Sequence, residues 1–261
     1  MKTIQILSCN IRDARAEDGD NNWIQRKNTC IAILRQQQAD ILCFQEMRLN
    51  QQTDLLAALP EYSCYGLAED ANTPDTPNAL FFRTAAFSLI SQGGYWLSGT
   101  PKIPGSRSWD SRYTRLANRV ILQASESRYR IDITNTHLED DNPFAAAQQA
   151  HVITRQTPPP PTGTLQILTG DMNSDASSDV IQAFLDAGWL DTDTAVHGAA
   201  SRCRTFHAFE GERCTAEPSG KIDWIFTRGP VQVLAAEIIR DRMELRYPSD
   251  HYFVSATVSY E

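Results

Sequence analysis

The chain has 261 residues, 41% of them hydrophobic, and 24 Lys plus Arg against 32 Asp plus Glu give a formal net charge of −8. A domain of that length buries roughly 70% or more of the surface its unfolded chain exposes, and the composition excludes disordered, collagenous and small disulfide-stapled proteins. It also excludes a protein held to nucleic acid mainly by bulk positive charge, because such binding draws on clustered Lys and Arg; a phosphate-bearing ligand must therefore be met by a local site.

The opening MKTIQILSCN alternates apolar and polar residues and predicts a strand over residues 3–9, without the apolar run and small-residue cleavage site of a signal peptide. Asn21 or Asn22 can cap a helix reaching about Gln38, with Ile24, Ile31 and Leu34 on one stripe. Further runs rich in Ile, Val and aromatics predict strands at 40–45, 79–82, 119–123, 129–135, 165–169, 221–226 and 253–260. A second helix is expected over 144–156, preceded by Pro143 and stopped by the stiff connector Pro158 to Pro161. A third starts from Ser177 or Ser178, buries Val180, Phe184 and Ala187, and ends at Gly188. No segment approaches the roughly 18 continuous apolar residues of a membrane span. The expectation is one soluble domain over 1–261, cytoplasmic if no precursor segment has been removed.

Cys9, Cys30, Cys43 and Cys64 fall in or beside apolar stretches and read as small core residues. Cys203 and Cys214 lie in the polar stretch SRCRTFHAFEGERC, where they either close a loop by a disulfide or stand as unrelated thiols. A bridge points to an oxidising compartment. Residues 93–118 form the longest weakly structured stretch. Between residues 95 and 130, Lys102, Arg107, Arg112, Arg115, Arg119, Arg128 and Arg130 face only Asp110 and Glu126, which reads either as a solvated loop or as an anion-facing rim.

Polar residues close several of the predicted strands. Asn10 follows ILSC, Glu46 follows ILCFQ, His137 follows RIDITNT, Asp171 and Asn173 follow LQILTG, Asp223 lies in KIDWIF, and Asp250 and His251 lie in YPSDHYFV. In extended GDMN, Asp171 and Asn173 point to one side and Met172 to the other, with Gly170 leaving space beside the backbone. Oxygen donors without thiolates or several histidines suit a hard divalent ion, Mg²⁺ or Mn²⁺, of the kind that offsets charge on phosphoryl oxygens. Asp223 can fix the tautomer of His251 and leave its other nitrogen free to take a proton from water; an ordinary structural hydrogen bond is the other reading.

CNIR, FQE, NTHLED, TGDMNS, KIDWIF and YPSDH, in that order, resemble the endonuclease/exonuclease/phosphatase superfamily of metal-dependent phosphoesterases over nearly the whole chain. The resemblance implies a four-layered α/β sandwich, two mixed β-sheets packed face to face with helices outside. It implies that Glu46 is the principal metal ligand, with Asn10, Asp171, Asn173 and Asp250 around the same corner. His137 would bond the scissile phosphate, Asp223 would partner His251, and either Asp171 or His251 would act as base, with one ion or two. GGYWLSGTPKIPGSRSWD resembles a bacterial branch loosely related to deadenylase-like members, although Ser108 stands where that branch commonly has Gly. That stretch suggests a substrate flap in which Trp96 or Trp109 stacks and Arg112 or Arg115 binds phosphate.

The expected activity is hydrolysis of a phosphate ester by in-line water attack. The net charge favours a small phosphorylated substrate over a nucleic-acid phosphodiester. The rivals are an endonuclease or 3′ exonuclease acting on DNA or RNA, and a binding module that keeps the fold without turnover. The module should lack a ligand or base, and no expected polar position is missing.

Overall fold

Alternation at the start of the chain produces β1 (Lys2–Asn10), and the all-apolar ILCF produces β2 (Ile41–Gln45), parallel to β1 across the helix α1 (Trp23–Gln37). The chain continues through α2 (Leu49–Ala58), β3 (Tyr62–Tyr65) and β4 (Leu80–Arg83), then the antiparallel pair β5 (Phe87–Trp96) and β6 (Leu116–Ala124). A second parallel crossover follows, β7 (Arg130–His137), α3 (Pro143–Gln156) and β8 (Thr164–Asp171). The remaining elements are α4 (Asp179–Asp186), β9 (Leu190–Asp191), α5 (Thr192–His197), β10 (Asp223–Arg228), β11 (Val231–Ile239) and β12 (Phe253–Tyr260). The computed structural model describes residues 2–69, 72–125, 127, 129–198 and 203–260.

The strands form two six-stranded sheets ordered β11-β12-β1-β2-β4-β3 and β5-β6-β7-β8-β10-β9. Each is mixed, with a central parallel pair flanked by antiparallel neighbours. Three apolar clusters lie between successive layers. Ile4, Ile6, Ile41 and Val258 of one sheet meet Val120, Ile131, Ile133 and Ile167 of the other. Leu7, Leu42 and Phe44 face Trp23, Ile33 and Leu34 of α1, while Leu168 and Phe226 face Ile153 of α3 and Phe184 of α4. The order is helices, sheet, sheet, helices, the expected four-layered α/β sandwich. Each fully buried Leu, Ile or Phe contributes about 1.5–3 kcal/mol.

Three local expectations are corrected. The buried stripe of α1 runs through Trp23, Arg26, Cys30, Ile33 and Leu34, whereas Ile24 is 74% exposed: the indole, one residue earlier, sets the face that packs. Asn142 caps α3 and Pro143 is its first residue, where a missing N–H costs nothing. Residues 93–96 and 116–118 belong to β5 and β6, so the flap is 97–115. The other capping expectations agree: Asn22 accepts from Gln25 N at the start of α1, and Ser178 accepts from Ile181 N at the start of α4, with Gly188 at φ +83° just past its end. Strands β3, β5, β9 and β11 and helices α2 and α5 escaped the sequence reading because they are short, polar or edge elements with weak periodicity. All six cysteines are free thiols, including Cys203 and Cys214; burial pushes Cys30 and Cys43 up to about 12. Among the described residues no helix is long and apolar enough to cross a membrane.

Arg26 ties the N-terminal layer to the loops that carry the polar strand ends. Its guanidinium is fully buried and donates to the carbonyls of Ile11 at 2.7 Å, Pro248 at 2.8 Å, Asn21 at 2.9 Å and Arg12 at 3.0 Å. These carbonyls, the rings of Trp23 and Phe209, and the charges of Asp250 and Asp18 offset the cost of burying this charge, and burial still lowers its pKa. We expect Arg26→Met to cost about 3–5 kcal/mol in urea unfolding, because four carbonyls lose their donor at once; a loss below about 1 kcal/mol contradicts this role.

Candidate active site

Strand register builds the site. His137, the last residue of β7, pairs with Asp171, the last of β8, and Asp171 pairs on its other side with Asp223, the first of β10. The three side chains therefore stand in one row across the second sheet. In the first sheet Asn10 ends β1 beside Gln45 at the end of β2, and Glu46 follows at φ +60°. The Asn10 amide donates to Glu46 Oε1 and to Asp171 Oδ2, both at 2.9 Å, and so joins the sheets at their polar ends. Asp13 N donates to Glu46 Oε2 at 2.8 Å and fixes that carboxylate's second oxygen.

Asp171 Oδ2 lies 3.5 Å from His137 Nε2 and 3.8 Å from His251 Nε2. His251 Nδ1 is held by Asp223 Oδ2 at 2.8 Å, so Nε2 is the nitrogen turned towards Asp171. Asn173 does not continue an extended strand. It sits at φ +47° and its backbone N–H donates to Asp171 Oδ1 at 2.9 Å. Its amide reaches back to Leu138 O at 3.0 Å and His137 Nε2 at 2.9 Å, while Met172 is buried in the helix-side core. The expected convergence of Asp171 and Asn173 holds, produced by a turn.

A buried polar plug supports this row. Asn135 donates to Phe44 O at 2.7 Å, and its side-chain oxygen accepts from Gln45 Nε2 at 2.7 Å and Thr169 Oγ1 at 3.0 Å. Sequence reading also missed Thr205, whose Oγ1 accepts from Ile222 N and Asp223 N, and Phe206, whose ring packs edge-on to His251 at 5.2 Å. Glu139 was missed too; it accepts from Ser111 Oγ and from Arg112 N at 2.9 Å, anchoring the flap to the end of β7. A signal existed for Glu139 alone, a carboxylate two residues after His137 in NTHLED.

These groups lie at or beneath the floor of a cavity of about 810 Å³. Glu46, His137, Asp171, Asn173, Asp250 and His251 line it, with Asn10 and Asp223 buried behind them. The substrate-flap expectation is largely corrected. Arg115 lines the cavity, but Arg112 pairs with Asp141 on the surface and lies outside the lining. Trp96 is buried, donating through Nε1 to Glu69 O at 2.9 Å, and Trp109 packs against the helix-side core; neither ring lines the cavity. The positive rim comes mainly from Arg12, Arg15 and Arg48 near the N-terminus. Arg119, from the basic segment, is instead paired with Asp132 at 2.6 Å, and Glu126 and Arg128 lie outside the described residues.

Burial and the charge of Asp223 push Asp171 up to about 7. Burial opposes charge on His251, but Asp223, Asp171 and Asp250 outweigh it and hold the imidazole well above the usual histidine value. Burial, with the charges of Arg115 and His251, holds His137 well below it. The row therefore places a neutral and a charged imidazole on either side of one carboxylate.

A family model described as Endonuclease/Exonuclease/phosphatase family matches residues 7–251. The chain belongs to the endonuclease/exonuclease/phosphatase family. A family structure from Bacteroides vulgatus is 28% identical with TM-score 0.89, covering 100% of both chains. A mannosyl-6-phosphatase of Bacteroides thetaiotaomicron is 25% identical with TM-score 0.87, covering 98% of this chain and 100% of its own. TDP2 of D. rerio, solved with a single-strand DNA product, is 17% identical with TM-score 0.77 over 100% of both chains, and shares the fold. No curated protein matches.

Members of this family generally use divalent metals, and the donor set here fits one. Ligand atoms of Glu46, His137 and Asp171 lie within 4.8 Å of one another, as do those of Asp171, Asp223 and His251. The raised Asp171 carboxyl marks negative charge that a cation would relieve. Among the described residues Asp250 belongs to neither group; it stands 3.5 Å from Arg12 Nε and accepts from Ser249 Oγ at 3.1 Å.

Gly170 allows the row to close. A Cβ there would lie 2.2 Å from Thr136 O, a backbone atom that cannot move without displacing His137. We expect Gly170→Ala to cost about 2–4 kcal/mol in chemical denaturation. A variant as stable as the parent refutes this packing constraint.

Proposed function

We propose that the chain is a phosphoesterase that hydrolyses a small phosphorylated substrate by in-line attack of water, using a divalent ion, Mg²⁺ or Mn²⁺. The observation that carries this reading is the convergence of both imidazoles on one oxygen of Asp171 at the cavity floor, next to Glu46. Glu46 is the principal residue to hold the ion, with Asp171, and with Asn10, Asn173 and Asp250 around the same corner. When bound, the ion supplies offsetting charge to the phosphoryl oxygens.

The protein's own groups do the rest. Asp171 orients the water along the line of the scissile P–O bond, and the Asp171–His251 pair takes up its proton. Asp223 holds His251 through Nδ1 and turns its Nε2 towards Asp171, so that one proton can be shared between the imidazole and the carboxylate. His137 and Asn173, already 2.9 Å apart, hold phosphoryl oxygens, and Arg115 adds charge from the flap. As the new P–O bond forms, the ester P–O bond breaks, and the proton returned to the leaving oxygen yields an alcohol and phosphate.

A small substrate is favoured by the charge of the wall, where seven carboxylates face four guanidinium groups. A strand of nucleic acid needs several phosphates neutralised along an extended basic surface. The mannosyl-6-phosphatase similar to this chain over nearly its whole length supports the same direction.

Glu46→Gln is expected to lower turnover by at least roughly 100-fold, and chelation to abolish wild-type activity reversibly. Full activity in excess chelator overturns the metal-dependent reading. Asp171→Asn and His251→Ala should each slow turnover strongly, while the double variant loses much less than the two effects combined, since both serve one water. Strictly multiplicative losses in a steady-state double-mutant cycle indicate separate steps.

A further inference from the structure

Beyond Glu46 the cavity wall carries a charged network that hydrolysis itself does not require. Arg48, two residues past Glu46, donates through Nε to Asp13 Oδ2 at 2.9 Å and through Nη1 to Asp75 Oδ2 at 3.3 Å. The same Nη1 stands 3.5 Å from Glu69 Oε2. Arg15 approaches Asp13 at 3.3 Å and Asp75 at 3.6 Å. Asp13, Arg15, Arg48 and Glu69 line the cavity, and Asp75 is buried behind them. Because Asp13 N donates to Glu46 Oε2, the network begins one hydrogen bond away from the phosphate corner.

Its pairing decides what it can recognise. Each guanidinium already has carboxylate partners, so a second phosphate or carboxylate on the substrate would compete with charges that are in place. What remains is a fixed array of N–H donors and carboxylate lone pairs at opposite ends of each pair. A hydroxyl group donates and accepts at once and brings no charge to desolvate, so it is the group that this array fits. Among the described residues the Glu69 carboxylate meets Arg48 only at 3.5 Å, and burial raises its carboxyl despite the nearby arginines. The backbone of Glu69 is held by the Trp96 indole, so its position is set by the core of the second sheet. An aromatic or alkyl group at this wall would leave these polar atoms facing no partner.

We infer that this wall reads the hydroxyls of an uncharged ring or chain, so that the substrate class is sugar or polyol phosphomonoesters, with Glu69 and Arg48 as specificity-determining residues. The inference rests on the phosphoesterase reading above and adds the identity of the leaving group. The phosphate lies at Glu46, Asp171 and the two imidazoles, and the hydroxyl-bearing part lies against Asp13, Arg48 and Glu69.

The test compares a hexose 6-phosphate with cyclohexylmethyl phosphate, which has a six-membered ring and a primary leaving oxygen but no ring hydroxyls, together with a short oligonucleotide, all with Mg²⁺ or Mn²⁺. The hexose ester should be hydrolysed with kcat/KM at least roughly 100-fold higher than the cyclohexyl ester. In Glu69→Gln and in Arg48→Lys this ratio should fall at least roughly tenfold, mainly through KM. Equal kcat/KM for the two rings, an unchanged ratio in both variants, or faster cleavage of the oligonucleotide overturns the inference while leaving a phosphoesterase. If no ester is turned over with either ion, the hydrolytic reading fails, and calorimetry with the same two ring phosphates judges the wall separately. Tighter binding of the hexose phosphate that weakens in Glu69→Gln supports it, and equal affinities overturn it.

Discussion

The pairing of β8 with β7 on one side and β10 on the other is the constraint on which the site depends. Side chains in a strand alternate between faces, so a slip of one residue would turn Asp171 into the apolar layer between sheet and helices and bring Met172 into the cavity. The apolar pattern forbids that slip. Ile167 packs between the sheets and Leu168 beneath the helices, so each face of β8 is specified by its own cluster. With register set by apolar burial, His137, Asp171 and Asp223 fall into one row without any need for the charged groups to favour it. Gly170 belongs to the same constraint, because the close approach of Thr136 O leaves no room for a side chain.

The row is electrostatically costly, and its surroundings are arranged to bear that cost. Burial and the charge of Asp223 raise the pKa of Asp171 against the opposing pull of His251, Asn173 and Asn10, and Asp223 has one buried oxygen without a partner. Offsetting bonds to the carboxylates come from the Asn10 amide, the backbone N–H groups of Asn173 and Asp13, and the His251 imidazole on Asp223. One layer below, the Asn135 amide and the Gln45 amide nitrogen pair polar atoms between the two sheets, although Gln45 Oε1 itself is buried without a partner. Arg26 extends the arrangement outwards by gripping the loops after β1 and before β12. Stability gained from three apolar layers thus supports a charged site that contributes little or none.

The two halves of the chain build this site by the same route. In each, a strand crosses through a helix to a parallel neighbour, β1–α1–β2 and β7–α3–β8, and both sheets share one sequence of parallel and antiparallel pairings. Polar groups fall at matching ends: Asn10 and Glu46 in one half, His137 and Asp171 in the other. Facing the sheets brings these ends together, and Asn10 is the side chain that spans the gap. The sequences of the halves carry no repeat that would announce this correspondence.

Composition and periodicity determined the sheet-rich α/β class, eight of the strands, the long helices and the polar residues that end the strands. Those signals are local: apolar alternation, caps and prolines act through neighbours in sequence. The order of the six motifs was enough to identify the family, because each motif is short but their sequence is specific. The substrate side was not legible in the same way. Trp96, Trp109 and Arg112 had the right chemistry for a flap, yet burial of the first, core packing of the second and the ion pair of the third take them out of the cavity. Arg12, Arg15 and Arg48 gave no comparable signal, since a solvated arginine and a cavity-lining one look alike in sequence. Which charges line the cavity was decided by tertiary structure alone, because it depends on how two sheets and their end loops face each other, and contacts between residues so far apart in the chain leave no local pattern.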